Sequence, residues 1–128
     1  MSGRGIVLFA HGARDPEWAA PLRRLARIVA DQDAGAEVAV AFLEFIEPPL
    51  EQAVANMLHK GIDDITVVPV FIAQGGHLKK DLPLIVAAIH AANPGISIRL
   101  AAAMGESDAV LQAMAEFASA ASRATAQP

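Results

Sequence analysis

The sequence contains no cysteine. That excludes a disulfide scaffold, a thiolate zinc finger and a cysteine-ligated iron–sulfur cluster. Any metal must be held by histidine and carboxylate. Charge is sparse: 19% of the 128 residues are charged, with 10 lysines and arginines against 14 aspartates and glutamates. The resulting net charge of −4 argues against general nucleic-acid binding. Long apolar runs are missing too. The longest uncharged stretch, Leu82–Ile98, is interrupted by Pro83, His90, Asn93 and Pro94, and it does not read as a membrane span. The early run Gly5–Ala10 is too short for a signal-peptide core and ends in His11–Gly12. A protein of the cytoplasm, binding neither nucleic acid nor membrane, is expected.

What is present is apolar material for a packed core. Hydrophobic residues make up 54%, and 28 of the 128 are alanine, which favours helix. Four short runs are nearly continuous in apolar residues: Gly5–Ala10, Glu37–Leu43, Ile65–Ile72 and Ile96–Leu100. Continuous rather than alternating runs suit parallel strands buried on both faces. Their starts are separated by 32, 28 and 31 residues (5 to 37, 37 to 65, 65 to 96), the length of a βα unit. Helical patterns fill the gaps. They are Pro16–Asp31, Pro48–Lys60 with Gly61 past its end, Lys80–Ala92 stopped by Asn93–Pro94–Gly95, and Ser107–Ala121 with Ser107 as N-cap.

The order β-α-β-α-β-α-β-α predicts an α/β fold, an open parallel four-stranded sheet with helices on both faces. By analogy with flavodoxin-like sheets the strand order is 2-1-3-4. Residues 1–128 read as a single domain, with Ser122–Pro128 a frayed tail. Pro69 lies inside a run placed centrally, so a bulge or weakened pairing is expected there.

Ligands of such sheets bind beyond the carboxyl ends of the strands. The first run is followed by His11-Gly12-Ala13-Arg14-Asp15-Pro16, the second ends in Phe42-Leu43-Glu44, and the third leads through Gly75-Gly76-His77 to Lys79-Lys80-Asp81. Three familiar ligand signatures fail at these loops. There is no G-x-x-x-x-G-K-[ST] phosphate loop, no G-x-G-x-x-G after the first run, and no phosphoacceptor aspartate ending the third. Two histidines and a carboxylate remain, a set able to bind a borderline divalent metal and to move protons. In strand order 2-1-3, His11, Glu44 and His77 follow neighbouring strands, so their side chains are expected to meet at one point. Arg14, Lys79 and Lys80 offer an anion-attracting rim, and Gly75–Gly76 lets a ligand approach the backbone. His59 and His90 fall in the last turns of helices, where a partly positive side chain suits the dipole, and they are read as structural.

The three loops in series resemble the class II tetrapyrrole chelatases, in particular the short CbiX-type sirohydrochlorin cobaltochelatases of cobalamin biosynthesis. The matching segments are His11-Gly12-Ala13-Arg14-Asp15-Pro16, Phe42-Leu43-Glu44 with Pro49 and Leu50, and Val68-Pro69-Val70-Phe71 followed by Gly76-His77 and Asp81-x-Pro83. The resemblance implies a chelatase-like half domain that inserts Co2+ into sirohydrochlorin without ATP. It also implies no cofactor beyond the substrate metal, and assembly as a homodimer. His11 and His77 match the metal ligands and proton acceptors, and Glu44 matches a carboxylate assisting metal delivery or proton removal. Two departures stand out: Ala13 where the motif often has serine, and no histidine-rich metal-storage stretch. Fe2+ or Ni2+ in place of Co2+, or a tetrapyrrole or metal carrier without turnover, remain open on these residues.

Overall fold

A computed structural model describes residues 3–124. Four strands, β1 (Gly3–Ala10), β2 (Ala36–Phe42), β3 (Ile62–Pro69) and β4 (Ser97–Leu100), form one parallel sheet in the order β2-β1-β3-β4. The helices are α1 (Ala20–Gln32), α2 (Leu50–His59), α3 (Gly76–Ala92) and α4 (Asp108–Arg123). No helix among the described residues is long and apolar enough to cross a membrane.

The strands are nearly continuous in apolar residues because both faces are covered. Val7 and Phe9 of β1 point with Ala41, Ile65 and Val67 into a core built from Leu50, Val54 and Met57 of α2 and Leu82, Val86 and Ile89 of α3. Leu8 and Ala10 point the other way, with Phe42, onto Ala19 just before α1 and Leu22 in its first turn. Strand parity thus assigns each residue to a face.

Helix boundaries follow local chemistry. A 3-10 turn, Pro16–Ala19, precedes α1, and the Asp15 carboxylate caps it by accepting from the Glu17 N–H at 2.9 Å. Pro21 has no N–H to give in the first turn of α1, so the tighter turn carries the chain into the helix. Ser107 caps α4, its hydroxyl accepting from the Val110 N–H at 3.4 Å. Gly61, with φ +81°, ends α2 as expected.

Three expectations need correction. First, no bulge forms at Pro69; the single register shift lies between Gly3 and Arg4. Pro69 is the last residue of β3. The Val70 N–H donates to Phe9 of β1, and the Val67 carbonyl accepts from Ala101 beyond β4. By alternation the Pro69 nitrogen faces the β4 side, past the last bond of that ladder, so the ring displaces no donor. Second, α3 begins at Gly76 and not at Lys80. The Lys79 N–H already closes on the Gly75 carbonyl at 2.9 Å. Pro83 therefore sits inside the helix instead of in its first turn. Third, α4 continues through Ser122 to Arg123, where the frayed tail was expected to begin; residues 125–128 lie outside the described residues.

Candidate functional site

The carboxyl end of the sheet is stiffened by close backbone contacts between loops. Beyond β1 and β2 the pairing continues: the Leu43 N–H donates to the Ala10 carbonyl at 2.9 Å, and the Glu44 N–H to the His11 carbonyl at 3.1 Å. Gly12, with φ +97°, lies against the Glu44 backbone so closely that a Cβ there would strike the Glu44 carbonyl. On the other side, the Gly105 N–H donates to the Phe71 carbonyl at 2.8 Å, and a Cβ on Gly105 would run into the backbone of Ile72. The loops after β1 and β2 are thus locked together, as are those after β3 and β4.

This frame sets the two histidines. His11 is exposed, and its ring meets Phe71 edge-on, with centroids 6.3 Å apart at 70°. Phe71 is itself packed edge-on against Phe9 at 6.1 Å. An aromatic pair thus anchors the imidazole to the core. His77 is the second residue of α3. Both histidines line one cleft of about 320 Å³, together with Leu43, Gly75, Gly76 and Asp81. Gly75 and Gly76 have open space where a Cβ would stand. The protein's own packing does not demand these two glycines, unlike Gly12 and Gly105.

Glu44 does not share the cleft. Its place follows from strand parity. His11 and Leu43 continue the phase of Phe9 and Ala41, toward α2 and α3, while Glu44 is one residue out of phase. The expected meeting of His11, Glu44 and His77 is not formed: among the described residues, no three histidine or acidic side chains come close enough together to hold a metal ion. The carboxylate that does line the cleft is Asp81. It stands four residues after His77, one turn along the same helix face. The signal was in the sequence as His77-x-x-x-Asp81, but it becomes one only once α3 is known to start at Gly76.

Of the basic rim, Arg14 is exposed, with its guanidinium carbon 4.6 Å from the centroid of the Phe45 ring. Lys79 and Lys80 are exposed on the first turns of α3 and do not line the cleft. His59 and His90 fall in the last turns of α2 and α3, away from this edge, as expected.

The parallel α/β sheet, with His11 and His77 lining one strand-end cleft, is what a class II chelatase domain requires. More narrowly, the chain belongs to the CbiX family, whose family model matches residues 5–121. It is 38% identical over 78 residues to a sirohydrochlorin cobaltochelatase of Methanopyrus kandleri, covering 61% of this chain and 54% of that one. It is 35% identical over 79 residues to one from Methanosarcina acetivorans, covering 62% and 61%. The matches therefore span between half and two thirds of those relatives. The crystal structure of a putative cobalamin biosynthesis CbiX protein from Marinobacter aquaeolei superposes with TM-score 0.81 at 32% identity, over 92% of this chain and 96% of that one. The sirohydrochlorin chelatase SirB from Bacillus subtilis, solved with cobalt, shares the fold with TM-score 0.73 at 24% identity; the match covers 92% of this chain and half of SirB.

Proposed function

We propose that this chain is a sirohydrochlorin chelatase subunit that inserts a divalent metal, cobalt in the first instance, into the metal-free macrocycle. In this reading it uses neither ATP nor a resident cofactor; the metal is a substrate. The observation that carries the reading is the common cleft lined by His11 and His77, one from the loop after β1 and the other from the first turn of α3. Metalation must strip two pyrrole protons and deliver a desolvated ion. Neutral imidazoles hold a first-row ion and accept protons. Among the described residues no group of three histidine or acidic side chains is arranged to hold an ion tightly, which suits an ion that must be passed on. In this proposal Asp81 supplies the carboxylate inside the cleft, and Glu44 guides metal from outside it.

The macrocycle is flat and rimmed by carboxylates. Gly75 and Gly76 leave room for it to approach the backbone, and Arg14, Lys79 and Lys80 supply positive charge around the opening. Cobalt is favoured by the names of the curated relatives. Imidazole and carboxylate donors also accept iron and nickel, so the three ions belong in one competition series.

Sirohydrochlorin absorbance followed with Co2+, with and without the protein, tests the proposal. Faster loss of the metal-free spectrum with protein is expected; equal rates overturn it. A homodimer and a cytoplasmic location belong to the same reading. Light scattering on a size-exclusion column should then report about twice the 13.4 kDa chain mass, and a monomer active at micromolar concentration would remove the dimer from the proposal.

A further inference from the structure

Phe45 adopts a backbone conformation that phenylalanine resists. Its φ is +69°, and the Ile46 N–H donates across it to the Glu44 carbonyl at 2.9 Å. A hydrogen bond from i+2 to i around a positive φ makes a γ-turn of the rare, strained form. Glycine would close that turn without strain. Instead the position carries a large aromatic side chain that is 56% exposed and belongs to neither core cluster. Non-glycine residues held at positive φ cluster at functional sites.

The ring has one specific contact, the guanidinium of Arg14, stacked over its face at 4.6 Å. Among the described residues Arg14 makes no ion pair and no side-chain hydrogen bond; the ion pairs are Arg4–Asp33, Lys60–Glu37 and Arg99–Asp64. An arginine held over an aromatic face, with no intramolecular partner for its donors among the described residues, is pre-organised for a carboxylate. The contact bridges the loops after β1 and β2, which Gly12 and the His11–Glu44 backbone bond already hold together. Arg14 is three residues from His11, and Phe45 is next to Glu44.

We infer that Phe45 is a positioning residue. Its strained turn holds Arg14 on the loop that carries His11, where the guanidinium takes a peripheral carboxylate of a flat polycarboxylate macrocycle and fixes the ring plane relative to His11. The inference rests on the sirohydrochlorin reading above. It adds that substrate selection depends on an aromatic side chain that never meets the metal.

The test is fluorescence titration of metal-free sirohydrochlorin against wild type, Arg14→Ala, Phe45→Gly, Phe45→Tyr and the Arg14→Ala/Phe45→Gly double variant, with thermal unfolding of each. Arg14→Ala should weaken binding about tenfold, the value of one charge-assisted hydrogen bond. Phe45→Gly should weaken it about threefold to fivefold, the value of an exposed cation–π contact, while unfolding at or above the wild-type temperature. Phe45→Tyr keeps the ring and should bind as wild type. The double variant should bind no worse than Arg14→Ala, because Phe45 acts through Arg14. The octamethyl ester of the same macrocycle should not distinguish Arg14→Ala from wild type. Wild-type affinity in Phe45→Gly, or additive losses in the double variant, overturns the positioning role while leaving the chelatase reading intact. Wild-type protein that binds no sirohydrochlorin overturns both.

Discussion

Replacing Gly12 with alanine should damage the frame of the site more than its volume suggests. The residue has φ +97°, and an added Cβ would strike the Glu44 carbonyl. Two losses add. Placing a Cβ in left-handed backbone costs about 1–2 kcal/mol. Pushing the loops apart removes the Glu44-to-His11 backbone bond of 3.1 Å, worth about 1 kcal/mol. Together these come to about 2–3 kcal/mol. For a chain of 128 residues, 1 kcal/mol corresponds to ~4 °C in Tm, so a fall of ~8–12 °C is expected. Gly75→Ala is the matched control: its Cβ meets nothing within 4 Å, and its φ of −67° suits alanine. Its stability should stay within about 0.5 kcal/mol of wild type, while macrocycle binding weakens as the new methyl enters the cleft. Thermal unfolding followed by circular dichroism reads both. Equal melting temperatures for the two variants would refute the claim that Gly12 is held by the fold and Gly75 by the ligand.

Other consequences follow from the same geometry. Asp81→Asn should slow metal insertion more than Glu44→Gln, because Asp81 lines the cleft and Glu44 does not; a larger loss in Glu44→Gln, measured by sirohydrochlorin absorbance, would reverse that assignment. The exposed Arg4–Asp33 pair sets a pH dependence of stability. Two hydrogen bonds from Arg4, at 2.6 and 2.8 Å, hold the Asp33 carboxyl below its ordinary range. Its contribution is therefore present above the ordinary carboxylate range and lost as pH falls through the lowered folded value. Urea titrations should show Asp33→Asn less stable than wild type at neutral pH, with the gap closing in acid and narrowing in high salt.

The sheet was legible in the sequence because its chemistry is repetitive. Four apolar runs at βα spacing, each buried on both faces, leave little choice of architecture, and the order 2-1-3-4 followed. Other features hinge on details of register. Pro69 looked like a defect because its run seemed to extend to Ile72; ending β3 at Pro69 turns the ring toward empty ladder. Gly75–Gly76 looked like a loop, which hid the helical spacing of His77 and Asp81. Glu44 looked like a third ligand because it follows a strand neighbouring that of His11, but a period of two puts it out of phase with Leu43, which lines the cleft. Phe45 gave no signal at all. No propensity places phenylalanine at positive φ, so a strained turn of this kind appears only in the backbone itself.

The central claim is that His11 and His77 act together in one cleft to insert the metal. Its most direct test is the rate of Co2+ insertion into sirohydrochlorin by His11→Ala, His77→Ala and the double variant, with His59→Ala and His90→Ala as controls. Both cleft histidines are exposed, so all variants should fold, which circular dichroism checks. Each cleft substitution is expected to bring the rate close to that without protein, with the double variant no lower than either single one. The two helix-end substitutions should leave the wild-type rate. A His59→Ala loss as large as that of His77→Ala, or a wild-type rate in His11→Ala, would contradict the account.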